Sequence, residues 1–294
     1  MVDLSRQKST IVRIGRVAQK ASFRALDLLA PRVAGRQVRD LWFTLPPAVA
    51  AAPLPPGGTP FRVTSRGIAV RGHVWGEGPV VYLVHGWGGS GTQFVAFVEP
   101  LVAAGHTVVM YDAPSHGSSD PGPHGRRTHG VEAARALDEV SKKFGPARAV
   151  IAHSMGAIVT NLAMNRGWLG AERLVLISPM TNAAELFDGL QAAIGFGART
   201  RRAFERATLA FTGLPVEEFD TAHQASLREP IPTLAISDRQ DPQASYSSVV
   251  RLAAELDAAL VTTEGIGHNR ILRDESVVRE AVEFVVNQRA VVAA

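Results

Sequence analysis

The chain has 294 residues, of which 46% are apolar, and a formal net charge of +4. That length allows one large domain or two small ones, with ample apolar material for a core. The absence of cysteine excludes disulfides and thiolate chemistry, and without a run of about 18 apolar residues no membrane span is expected.

The charge is unevenly spread. Residues 1–60 hold nine Lys/Arg and three Asp, a surplus of six, whereas the rest holds 22 basic and 24 acidic residues. The bulk of the chain therefore lacks the positive field of a nucleic-acid binder, and no nucleic-acid partner is expected. In the extension, Ile11, Ile14, Val17, Ala18, Ala21, Ala25, Leu28 and Leu29 recur at three- and four-residue steps. Arg13, Arg16, Lys20, Arg24 and Asp27 recur on another face. This is a basic amphipathic helix over 9–30, capped by Ser9 or Thr10 and ended by Pro31. A second short helix is expected from Val33 to Phe43. Three roles stay open for the extension: packing on the body or on a second subunit, weak contact with an anionic membrane surface, or completion of a substrate pocket. A Pro/Ala/Gly-rich linker, Pro46 to Gly58, follows. The first residues lack the apolar core of a secretory signal, so a cytoplasmic location, peripheral to the membrane at most, is expected.

Strands are expected near 61–65, 68–75, 79–84, 107–111, 147–152, 172–177, 232–237 and 258–263, the first two as an antiparallel entry. Val80-Val81-Tyr82-Leu83-Val84 is continuous and apolar, as in a parallel sheet covered on both faces. Helical patterns fill 91–104, 129–144, 154–166, 245–257 and 271–288. The gap from Thr181 to Pro230 is too long for a plain loop and contains helical stretches.

The most informative stretch is Ala152-His153-Ser154-Met155-Gly156. It lies between the apolar run Ala149-Val150-Ile151 and a helical run from Ile158 to Met164. A serine between strand and helix, with small residues two positions to either side, is a nucleophile elbow: the turn is too tight for larger neighbours. Ala152 departs from the usual first glycine but is the next smallest residue. Asp238 and Asp241 follow a later strand, and His268 follows the last one, in a glycine-rich loop that can reach back to the elbow. The order Ser, Asp, His, each past the carboxyl end of a strand, suits one edge of a single sheet. A serine hydroxyl needs a base near neutrality, and that base needs an orienting carboxylate. Met155 follows the serine and heads a helix, so its amide is a candidate donor to a developing oxyanion.

From about residue 61 to 288 the chain resembles the α/β-hydrolase fold superfamily, of the serine esterase and lipase kind. The segments HGWGGS (85–90), DAPSHGSS (112–119), AHSMG (152–156), SDRQDP (237–242) and GIGHNRIL (265–272) match family segments in the family's order. The resemblance implies an α/β fold: a mostly parallel eight-stranded sheet flanked by helices. The core would be 61–180 and 231–294, with a helical cap inserted over 181–230 and the extension and linker at 1–60. It implies Ser154 as nucleophile, His268 as base and Asp241 as acid in the strand-seven loop, with Asp238 left to a turn or capping role. It implies Trp87 as the second oxyanion donor beside Met155, and Trp87 and Gly86 against the substrate. His153 is read as a packing residue, and His85 and His116 as braces of their loops. Asp112 is read as structural. In the cap, Leu186, Phe187, Leu190, Phe196, Phe204, Leu209, Phe211 and Leu214 would form a small core and cover the substrate.

The expected activity is hydrolysis of a carboxylic ester, a small-molecule substrate, through an acyl-enzyme. Thioesterase, lactonase, amidase, C–C hydrolase or acyltransferase activity on the same residues, or non-catalytic ligand binding, are the alternatives. Dehalogenase and epoxide hydrolase chemistry need a carboxylate where Ser154 stands. No metal or organic cofactor is implied, since the His and Asp positions do not follow metal-ligand spacing.

Overall fold

The computed structural model describes residues 20–48 and 50–287. The expected helix over 9–30 therefore falls partly outside the described residues, as does its cap at Ser9 or Thr10.

The chain divides into two compact units, one holding the sheet and one built from the extension and the long insertion. In the sheet unit the strands are β1 (Thr59–Ser65), β2 (Ile68–Trp75), β3 (Val80–Val84), β4 (Thr107–Tyr111), β5 (Ala147–His153), β6 (Leu174–Ile177), β7 (Thr233–Asp238) and β8 (Ala259–Thr263). They form one sheet in the order β1-β2-β4-β3-β5-β6-β7-β8. β1 and β2 pair antiparallel, as do β2 and β4; every other pairing is parallel.

Alternation along the strands sends side chains to two covered faces. Val81, Leu83, Val108, Met110, Ile151, Val175 and Ile236 pack on one face. Against them lie Phe97, Val98 and Leu101 of α3 (Val95–Ala103) and Val277, Ala281, Phe284 and Val285 of α10 (Glu275–Val286). On the opposite face are α4 (Gly130–Phe144) and α5 (Gly156–Asn165), and the Tyr82 hydroxyl donates to the carbonyl of Gly145, which caps α4, at 2.6 Å. α5 is buried from Gly156 to Ala163, as befits a helix enclosed by its neighbours rather than amphipathic at a surface. α9 (Tyr246–Glu255) connects β7 to β8.

The chain runs from β3 outward to β4 and then crosses to β5 on the other side of β3. That reversal leaves a crevice at the carboxyl ends of β3 and β5, where open α/β sheets place their ligands.

Among the described residues, the second unit comprises 20–44 together with Asn182–Glu218. It holds α1 (20–29), α2 (Pro31–Phe43), α6 (Ala183–Ile194) and α7 (Ala198–Thr212). Pro31 ends α1 and opens α2 from its first position, where its missing N–H costs nothing. Val38, Phe187, Ile194, Phe196 and Phe204 form the core, joined by Phe23 and Trp42. Gly35 lets α2 approach α7 closely: a Cβ there would lie 2.6 Å from the Ala203 carbonyl carbon. Asp27 on α1 accepts from the Thr200 amide at 2.7 Å, placing a negative charge at the start of α7. Leu28 and Leu29 remain exposed.

The structure draws the boundaries elsewhere than the expected 1–60, 181–230 division. Residues 219–230 belong with the sheet. Thr221 donates from its amide to the Thr181 carbonyl at 2.8 Å and from its hydroxyl to the Met180 carbonyl at 2.8 Å. Asn165 of α5 donates to the side chain of Gln224 at 2.7 Å, in the short helix α8 (Thr221–Ser226). The segment after Thr44 is not a free spacer either. The Leu45 amide donates to the Arg126 carbonyl at 2.9 Å, the Arg126 guanidinium returns a 2.6 Å bond to the Leu45 carbonyl, and Trp75 Nε1 donates to the Pro55 carbonyl at 3.2 Å.

Candidate active site

Ser154 stands at the turn from β5 into α5 with φ +53°, a left-handed conformation that costs an L-residue roughly 1–3 kcal/mol. Its backbone is fixed on both sides. The Ser154 amide donates to the Ile177 carbonyl at 3.1 Å, and the Ser154 carbonyl accepts from Ala157 at 3.1 Å and Met180 at 3.0 Å. Gly156 must lack a side chain, because a Cβ would run into the Val84 carbonyl. Ala152 is fully buried beside Val84 in the β3–β5 ladder. The same ladder brings the loop after β3 to the elbow, where a Cβ on Gly86 would lie 2.7 Å from the Ser154 Cβ.

That loop is a tight turn, closed by the Gly89 amide on the Gly86 carbonyl at 3.1 Å. Two imidazoles brace it. His85 Nε2 accepts from the Ala113 amide at 3.0 Å, so its Nδ1 carries the proton given to the Gly86 carbonyl at 2.8 Å. His116 repeats the pattern, accepting at Nε2 from the Gly88 amide at 3.2 Å and donating from Nδ1 to the Pro114 carbonyl at 2.9 Å. Burial lowers the pKa of both rings, that of His116 to about 3, with the His85 ring adding to the effect. Asp112 anchors the adjoining loop by accepting from the Gly91 amide and from both the amide and hydroxyl of Ser118. Among the described residues, the amides of Trp87 and Met155 have no acceptor. Met155 immediately precedes α5, at the positive end of the helix dipole.

His268 and Asp241 meet. Nδ1 of His268 lies 2.8 Å from Oδ2 of Asp241, both side chains being buried. Oδ1 of Asp241 accepts from the amides of Gln243 at 2.7 Å and Ala244 at 2.9 Å. Burial pushes this carboxyl up, but hydrogen bonds from His268, Ala244 and Gln243 outweigh it and hold the pKa at about 2. A carboxylate facing Nδ1 fixes the proton there and leaves Nε2 as the basic nitrogen.

Asp238 does different work. It accepts from the Gln240 amide, the Thr263 hydroxyl and the Ile266 amide, each at 2.9 Å. It thereby ties the loop bearing His268 to the loop bearing Asp241, and makes no hydrogen bond to the His268 ring. Burial raises its pKa, and these hydrogen bonds bring the net value below the ordinary carboxylate.

Sequence reasoning missed one connection. His153, read as a packing residue, places Nε2 2.9 Å from the His268 carbonyl. A carbonyl only accepts, so Nε2 carries the proton. Burial, reinforced by the His268 ring 4.7 Å away, lowers the His153 pKa to about 3. A histidine beside a candidate nucleophile was the available signal; its partner, 115 residues later, was not.

Among the described residues no group of three or more His, Asp or Glu side chains converges as a metal site would require, and no helix is long and apolar enough to cross a membrane. In the other unit, Phe187, Phe196 and Phe204 are buried in its own core and Leu209 is exposed.

The Alpha/beta hydrolase family profile matches residues 81–286. No curated protein matches the sequence. Among solved structures, a putative lipase from Acinetobacter baumannii AYE is 17% identical, with 87% of this chain and 96% of that chain covered and a TM-score of 0.59. The thioesterase domain from the curacin biosynthetic pathway is 16% identical, covering 78% and 99%, with a TM-score of 0.57. A meta-cleavage product hydrolase is 20% identical, covering 76% and 97%, with a TM-score of 0.55. At these identities the likeness is one of fold.

Proposed function

We propose, from the premise that this chain belongs to the alpha/beta hydrolase family, that it is a serine hydrolase cleaving a carboxylic ester through an acyl-enzyme. The observation that carries this reading is the buried Asp241–His268 pair at 2.8 Å, on the same sheet edge as a serine strained into an elbow.

In this mechanism Asp241 holds the His268 ring with Nδ1 protonated, and Nε2 takes the Ser154 hydroxyl proton as Oγ attacks the ester carbonyl. The amides of Met155 and Trp87, without other acceptors, receive the developing oxyanion. Collapse breaks the bond to the alkoxide, which takes the proton back from Nε2. Water then repeats the sequence on the acyl-Ser154 ester, releasing the acid and restoring the serine. Gly86 keeps the approach to Ser154 open, and the Trp87 side chain contacts the acyl group.

Hydrolysis of p-nitrophenyl esters from acetate to palmitate, wild type beside Ser154→Ala, tests the reading. Turnover by the wild type and its loss in the variant are expected, with the chain-length optimum sizing the acyl site. Full turnover by Ser154→Ala overturns it. The same comparison on thioesters and lactones places the scissile bond.

A further inference from the structure

A cavity of about 400 Å³ lies in the sheet unit beside the loop after β3. The segment after Thr44 forms one wall through Leu45, Pro46 and the alanines that follow. Gly88 and Asn269, each one residue from a candidate active-site residue, form part of the rest.

The charge of its lining is one-sided. Arg126, Arg270 and Arg273 all contribute, and none of the described lining residues is Asp or Glu. His116 adds no charge, because its buried ring stays neutral. Arg126 lies far in the chain from Arg270 and Arg273, which share one helical turn, so the meeting of the first with the other two is a product of the fold. None of the three has an acidic partner among the described residues, unlike Arg71 on Asp120 or Arg148 on Glu172. Arg126 spends one nitrogen on the Leu45 carbonyl, and Arg270 uses Nε and Nη2 on the carbonyls of Ile266 and Gly265. These bonds fix where the two guanidinium groups sit and leave donors spare. The Arg273 side chain makes no hydrogen bond or ion pair among the described residues.

The three guanidinium groups are solvent-exposed on one concavity, so an anion entering it meets positive charge with no carboxylate beside it. Planar forks of N–H donors match phosphate oxygens bidentately. The volume exceeds that of a phosphate alone and falls in the range of small-molecule sites, and the Pro/Ala wall suits an apolar arm.

We propose that this cavity binds a phosphate-bearing small molecule, with its phosphate on Arg126, Arg270 and Arg273. The phosphate is either carried by the substrate or supplied by a free anion, and the two sources give different kinetics.

The test is calorimetric titration of the full-length protein with inorganic pyrophosphate at low and at physiological salt. Variants are Arg126→Ala, Arg273→Ala and the double, with Arg62→Ala as a charge-matched control elsewhere on the sheet unit. Binding is expected to weaken roughly tenfold per arginine removed and with added salt, and Arg62→Ala is expected to bind as the wild type does. No binding by the wild type, or equal losses in Arg62→Ala and Arg273→Ala, overturns the proposal. This readout needs no turnover, so it stands apart from the fate of the hydrolase reading. A kinetic arm identifies the source: kcat/KM for an acyl-coenzyme A relative to the same acyl group on N-acetylcysteamine. A ratio that falls in Arg126→Ala/Arg273→Ala assigns the phosphate to the substrate. An unchanged ratio, with pyrophosphate binding still arginine-dependent, assigns it to a free anion.

Discussion

His153 donates from Nε2 to the main-chain carbonyl of His268 at 2.9 Å. The residue before the candidate nucleophile thus holds the backbone of the candidate base. The Asp238 carboxylate, accepting from the Thr263 hydroxyl and from the Ile266 and Gln240 amides, also ties the His268 loop to the loop of Asp241.

Under the proposed mechanism His153 acts as a positioning residue. His153→Ala is expected to lower kcat by roughly tenfold to a hundredfold, since sub-ångström displacement of a catalytic group is that costly, with KM changed little. His153→Gln, which keeps a donor at similar reach, is expected to recover most of the loss. Steady-state kinetics on one p-nitrophenyl ester separates the two; equal loss in both variants would reduce His153 to packing.

The two aspartates separate by different readouts. Asp241→Asn is expected to lower kcat by about four orders of magnitude, because the amide no longer enforces the Nδ1–H tautomer, while the fold persists. Asp238→Ala strands the half-buried Thr263 hydroxyl and Ile266 amide, each at up to about 1–3 kcal/mol. Its primary effect is therefore on thermal stability. Kinetics and melting curves on both variants check the assignment; a greater loss of kcat in Asp238→Ala than in Asp241→Asn reverses it.

Stability is expected to fall on acidification in two windows. His116 and His153 have folded pKa values of about 3, below the ordinary 6.5. The unfolded chain takes up these protons first, so the stability they support is full above about pH 6.5 and declines as pH falls toward 3. Asp241, at about 2 against an ordinary 3.8, adds a second decline from about pH 4 downward by the same sign. Each histidine contributes a slope of about 1.4 kcal/mol per pH unit. Urea unfolding at pH 7, 6, 5 and 4 measures it, and His116→Asn is expected to flatten the slope by one histidine's share.

Gly86→Ala is expected to abolish most ester turnover. Its new Cβ would sit 2.7 Å from the Ser154 Cβ and 3.3 Å from the Ser154 Oγ, so either the serine or the loop must shift. Overpacking of this kind costs about 1–3 kcal/mol. Activity and melting temperature together check this; wild-type values for both would mean the loop after β3 yields freely.

Much of this molecule was legible in one dimension. Continuous apolar runs such as Val80–Val84 announced covered parallel strands, because only a sheet buried on both faces tolerates them. Small residues around Ser154 announced the elbow, because steric limits on a tight turn act over two residues. Chain order placed Ser154, Asp241 and His268 past the ends of β5, β7 and β8, since a parallel sheet puts those ends on one edge. What depended on the meeting of distant segments was decided only by the tertiary structure. The resemblance already favoured Asp241 over Asp238, but the 2.8 Å contact of the Asp241 carboxylate with the His268 ring exists only in the fold. The tie from His153, the grouping of the extension with the insertion, and the gathering of Arg126, Arg270 and Arg273 around one cavity have the same origin. Periodicity and spacing encode the local geometry of a strand, turn or helix, whereas side-chain partners across a hundred residues exist only once the sheet has brought them together.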